Sequence, residues 1–124
     1  AALELLVKAG CDVNQATKDR QTPAYIAAQK GHTAALEILV NAGCDVNRAN
    51  KNGATPAIIA AKYGQTAALD ILVKAGCDVN QADEDGATPA HVAAQNDHTA
   101  ALKLLVKAGC DVNQANEDGG TPAF

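Results

Sequence analysis

Four cysteines recur with an aspartate and an asparagine in one pentapeptide, GCDVN, at residues 10–14, 43–47, 76–80 and 109–113. A thiol, a carboxylate and an amide this close together could form a metal ladder, a set of reactive thiols, or one structural corner made four times. Thiolates ligate zinc and attack electrophiles, and carboxylates hold hard cations. Three histidines, His32, His91 and His98, could supply the base that cysteine–histidine catalysis requires. Serine is absent, which removes serine nucleophiles. No glycine-rich phosphate-cradling loop occurs, and Asp83, Glu84 and Asp85 lack the alternating ligand pattern of a calcium loop.

The spacing decides how these residues are positioned. Successive GCDVN segments begin 33 residues apart, TPA keeps that interval from residues 22, 55, 88 and 121, and TAAL does so from 33, 66 and 99. A fixed period of this length means one supersecondary unit that buries its apolar face only against its neighbours. In the unit 50–82, Lys51, Asn52 and Gly53 form a projecting polar turn, and the Asn-Gly pair predicts the positive φ angles of a tight hairpin-type turn. Thr55 and Pro56 read as a helix start, the hydroxyl capping free N–H groups and Pro standing where no N–H is needed. A first helix is predicted over 57–63, closed by Gly64 in the left-handed conformation. A second is predicted over 66–75, with Leu69, Ile71, Leu72 and Val73 at helical spacing and Gly76 as its end. Helices this short are marginal alone, so they must be held by the pairs before and after. Ala57, Ala60 and Ala61 let the helix axes approach closely.

Nearly half of the 124 residues are hydrophobic, yet there is one Phe, two Tyr and no Trp. Such a core is thin and built from small pieces, as in a solenoid. The formal charge of −4 and a pI near 5.2 argue against a nucleic-acid binder, which would carry a basic stripe. No apolar run approaches the ~18 residues of a membrane span, and no signal-peptide pattern opens the chain, so a soluble protein is expected. The absence of Met, even at the start, predicts a piece of something longer or a processed chain.

Residues 85–115, DGATPAHVAAQNDHTAALKLLVKAGCDVNQA, resemble an ankyrin repeat: a turn, T-P-L-H-x-A, two antiparallel helices and a G-A-D-V-N corner. The resemblance covers the whole chain. It implies an all-α ankyrin-repeat solenoid of stacked helix-turn-helix units with projecting β-turns, in a single domain over 1–124. The units would be a partial repeat 1–16, full repeats 17–49, 50–82 and 83–115, and a partial repeat 116–124. Ala replaces the family's Leu after T-P in every copy, and its His survives only as His91, with Tyr25 and Ile58 at the equivalent positions. Arg20 replaces the usual turn Gly, and Asp97 replaces the Gly that ends the first helix.

Stacked helices place equivalent atoms about 10 Å apart. At that distance Cys11, Cys44, Cys77 and Cys110 cannot pair or share a metal within one solenoid, so each is expected as a small, free, structural thiol and GCDVN as a joint. Unpaired thiols fit an intracellular, cytoplasmic address. The histidines are expected to tie adjacent turns and helices, so no enzyme activity and no cofactor is expected. The resemblance also raises asparagine hydroxylation at Asn14, Asn47, Asn80 and Asn113.

Repeats within one chain share a structural duty, so the positions that vary between them are free for recognition. Variation concentrates in the turns (17–21, 50–54, 83–87) and at the end of the first helix (29–32, 62–65, 95–98). By resemblance these regions line the concave face on which ankyrin repeats hold partner proteins. The expected contact residues are Lys18, Asp19, Arg20, Gln21, Lys30, Lys51, Asn52, Lys62, Tyr63, Glu84, Asp85, Gln95, Asn96, Glu117 and Asp118. Tyr63 is the aromatic anchor among them. The turns change sign along the chain, from Lys18, Arg20 and Lys51 to Asp83, Glu84, Asp85, Glu117 and Asp118. The function implied is non-enzymatic protein–protein interaction, with no nucleic acid, no membrane insertion and no small-molecule substrate. Two alternatives stand beside it: a regulatory or targeting segment of a larger enzyme or channel, and an artificial scaffold. Uncapped terminal repeats would also permit end-to-end self-association.

Overall fold

The computed structural model describes residues 19–109, which hold six helices and no strand. They are α1 (Pro23–Lys30), α2 (Thr33–Asn41), α3 (Pro56–Lys62), α4 (Thr66–Lys74), α5 (Pro89–Gln95) and α6 (Thr99–Lys107). The inner helices α1, α3 and α5 stack in one row, and α2, α4 and α6 pack behind them in a second.

The T-P pair starts each inner helix as its chemistry dictates. The hydroxyls of Thr22, Thr55 and Thr88 accept from the N–H groups of Tyr25, Ile58 and His91 at 3.1, 3.2 and 3.3 Å. All three threonines are buried. A cap of this kind stabilises by about 1 kcal/mol, and Pro at the first helical position forgoes a donor that would have had no partner. At the other end Gly31 and Gly64 take φ of 71° and 69°, and the backbone turns sharply into the outer helix.

The departures from the pattern keep the same geometry. Asp97 holds φ of 60° where Gly31 and Gly64 stand in the earlier repeats, and Arg20 holds φ of 62° where Gly53 and Gly86 take 81° and 79°. The hairpin-type turn with two positive φ angles is not formed: Gly53 is left-handed but Asn52 is not. The physical reason is the Asn50 side chain, whose Oδ1 accepts from the N–H groups of Asn52 and Ala54 at 2.9 and 3.0 Å. That pairing holds the turn in its ordinary hand until Gly53, where the N–H returns to Asn50 O at 3.0 Å. Asp83 repeats the device with Asp85 and Ala87, both at 2.9 Å.

The core is made of leucine and alanine. Leu36, Leu39, Leu69, Leu72 and Leu105 are fully buried behind the inner row, and Ala28, Ala60, Ala61 and Ala93 bring the inner helices together. Each buried Leu contributes about 2 kcal/mol.

Three sets of polar bonds register one repeat on the next. Turn backbones join side by side, with Lys51 N–H donating to Asp19 O at 2.9 Å and Glu84 N–H to Asn52 O at 3.0 Å. At the GCDVN corner, Asp45 Oδ1 accepts from Asn47 N–H at 3.0 Å. Asn47 Oδ1 then accepts from Asp78 N–H of the next corner at 2.7 Å, and Gln81 Nε2 donates to Asn47 O at 3.2 Å. The recurrent pentapeptide is therefore a joint, with the acid shaping its own corner and the amide holding the following one. Finally, Gln65 Nε2 donates to Gln29 O at 3.1 Å, and His98 Nε2 lies 3.0 Å from Lys62 O. A carbonyl only accepts, so His98 Nε2 carries the proton. Each strap crosses the glycine that ends the preceding inner helix.

Candidate functional site

The thiols stand in settings that suppress nucleophilic chemistry. Cys44 and Cys77 are free and partly buried beside the core. Burial first, and the neighbouring Asp45 second, push the Cys44 thiol up; burial and Asp78 push Cys77 up to about 11. A nucleophilic or metal-binding cysteine needs the opposite shift. Among the described residues no group of three or more His, Cys, Asp or Glu side chains is placed to hold a metal ion. His91 is buried, its Nδ1 3.2 Å from the Thr88 hydroxyl that caps α5, and His98 is a strap. Cys11 and Cys110, with Asn14 and Asn113, lie outside the described residues.

A polar groove of about 810 Å³ runs between the turns and the inner helices across two repeats. One wall is formed by Asn50, Asn52, Asp83, Glu84 and Asp85, and the other by Lys62, Gln95 and Asn96. Ile58, Ile59 and Val92 supply a thin aliphatic floor. At its edge Tyr25 is 5% exposed, and its hydroxyl accepts from Asn50 Nδ2 at 3.2 Å. Burial raises the Tyr25 pKa, Tyr63 adds to the rise, and the Asn50 bond works against it.

The groove gathers six of the expected contact residues: Asn52, Lys62, Glu84, Asp85, Gln95 and Asn96. Tyr63 does not line it. Its ring is exposed at 49% and lies 5.6 Å beneath the Lys62 ammonium, a cation–π contact beside the groove. Asp19 and Lys51 form an ion pair with each other at 3.1 Å. Arg20 and Lys30 are exposed outside the groove, and Gln21 is half-buried. Lys18, Glu117 and Asp118 fall outside the described residues. The expected contact residues omitted Tyr25, Asn50 and Asp83, although the last two lie in the turns 50–54 and 83–87 assigned to the concave face. A signal for the last two was present, an Asn or Asp three positions before a turn glycine, whose short side chain bonds the backbone two residues on.

Units of turn, T-P-capped inner helix and outer helix, repeated every 33 residues and joined at equivalent atoms, define the architecture. Residues 1–83 match the family described as ankyrin repeats (3 copies), and residues 72–123 match ankyrin repeats (many copies). The chain belongs to the ankyrin repeat family. No curated protein matches it. Ankyrin repeats are generally protein–protein interaction modules and typically non-catalytic. No helix among the described residues of this ankyrin chain is long and apolar enough to cross a membrane.

A second cavity, of about 730 Å³, lies on the outward side of the last described repeat and is lined by Ala93, Ala94, Leu102 and Val106. One repeat earlier the equivalent Ala61 and Leu69 are fully buried and Val73 is half-buried, whereas here Ala94 is half-buried and Val106 is 44% exposed.

Proposed function

We propose that this ankyrin domain is a non-enzymatic binding module that holds a partner protein in the groove between its turns and inner helices. The observation that carries the reading is the groove itself. It crosses two repeats and is walled by side chains that differ between repeats, on a framework of caps, straps and joints that repeats. Tyr63, Lys30 and the exposed turn residue Arg20 extend this surface beyond the groove. A cytoplasmic setting belongs to the same proposal, supported by the free thiols of Cys44 and Cys77. So does end-to-end association with a second copy, supported by the exposure of Val106.

Surface plasmon resonance against a partner recovered with the wild-type chain tests the groove. Glu84→Lys with Asp85→Lys slows association about five-fold and flattens its salt dependence, because charges at the rim act on the encounter. Tyr63→Ala instead speeds dissociation about ten-fold, as loss of an aromatic anchor does. Wild-type rates for both variants would move the site to the outer helices.

A further inference from the structure

The partner's chemistry can be read from what the groove leaves unneutralised. We infer that the groove takes an extended, cationic segment of a partner protein, with Arg or Lys side chains directed at Glu84 and Asp85. This rests on the groove being the partner site.

Three consecutive carboxylates stand on the turn wall. Asp83 Oδ1 is committed to the N–H groups of Asp85 and Ala87. Glu84 and Asp85 are exposed and form no ion pair among the described residues. The preceding turn is different, since Lys51 is closed by Asp19 at 3.1 Å. Across the groove, Lys62 is the one cation in the lining. The groove as a whole therefore carries net negative charge, and a cation entering it relieves repulsion among neighbouring acids.

A second observation concerns the main chain of the occupant. Asn50 has a fixed orientation, because its Oδ1 takes two backbone N–H groups and its Nδ2 must then donate to the Tyr25 oxygen. Tyr25 is used there as an acceptor, and its own O–H has no acceptor among the described residues. Asn96 Nδ2 donates to Val92 O at 2.8 Å, which fixes the amide and turns its Oδ1 into an acceptor for the groove. A hydroxyl donor and an amide acceptor in one groove match the carbonyl and N–H groups of an extended chain, which a helix would have used internally. Extended residues alternate sides, so every second side chain faces the turn wall.

The test uses the 15N-labelled chain at low salt and two capped probes, Ac-Ala-Arg-Ala-Arg-Ala-NH2 and Ac-Ala-Glu-Ala-Glu-Ala-NH2, with amide shifts read by NMR. The cationic probe is expected to shift residues 83–87 and 95–96 well beyond the acids outside the groove, Asp45, Asp70 and Asp78. Glu84→Gln with Asp85→Asn weakens its binding about five-fold, the scale of two partly solvated ion pairs. Equal shifts at Asp45, Asp70 and Asp78 mean unselective attraction and overturn the inference. Preferential binding of the acidic probe in the groove overturns the sign while leaving the groove as the partner site. If neither probe moves a groove amide at millimolar concentration, the inference is overturned, and the groove assignment then stands or falls on the partner kinetics.

Discussion

Gly64 sits under the imidazole of His98, and replacing it separates two costs that usually travel together. Its φ is 69°, and a Cβ at this position would lie 2.7 Å from His98 Nδ1 and 2.9 Å from Cε1. In Gly64→Ala the left-handed conformation costs about 1.5 kcal/mol. The displaced ring loses its bond to Lys62 O, worth about 1 kcal/mol. The stiffer unfolded chain returns about 0.7 kcal/mol. The expected net loss is about 2 kcal/mol, or roughly 8 °C in Tm for a chain of this size. In a His98→Ala background the strap is already gone, so the same substitution should cost only about 1 kcal/mol. Urea denaturation of the four proteins of this cycle, followed by circular dichroism, measures the difference as a coupling of about 1 kcal/mol. Asp97 holds the same corner at φ of 60° with a side chain present, so the left-handed turn alone does not require glycine. Equal costs in the two backgrounds would refute the argument that the strap sets the demand for glycine at this position.

Arg20 is the converse case, a side chain at φ of 62° where the next repeat has Gly53, whose added Cβ would meet Glu84 N at 2.9 Å. Arg20→Gly should raise the urea midpoint by the equivalent of about 0.5–1 kcal/mol, the strain relieved less the entropy regained by the unfolded chain; an unchanged or lower midpoint counts against it. For Cys77, a thiol held up to about 11 against an ordinary 9.0 keeps its proton longer in the folded chain than in the unfolded one. Its contribution to stability is therefore complete below pH 9 and is lost as pH rises towards 11. At pH 8 its thiolate fraction falls about 100-fold, and the greater intrinsic nucleophilicity of a less acidic thiolate recovers nearly ten-fold of that. With Cys11, Cys44 and Cys110 changed to Ala, a disulfide reagent should react with native Cys77 about ten-fold more slowly than with the denatured chain, and equal rates would contradict the burial argument.

Much of this architecture was legible without any tertiary information, because it depends on contacts within a few residues. The 33-residue period announced the solenoid, Thr55-Pro56 announced a capped helix, and Gly64 and Gly76 announced left-handed ends, since each needs only its own backbone. The site was legible more coarsely. Variable positions located the turns and helix ends, but not which of them converge: Glu84, Asp85, Lys62 and Asn96 share a groove, whereas Tyr63 stands beside it and Asp19 and Lys51 neutralise each other. Those outcomes depend on stacking register, which places residues about 33 positions apart within a few ångströms. The same register set the Asn47 bridge to Asp78, the Asn50 bond to Tyr25 and the straps over Gly31 and Gly64. Local propensity acts over one helical turn and fixes elements. Charge pairing, side-chain direction and groove lining are decided between elements, and only the packed stack of alanine and leucine faces brings those partners within reach.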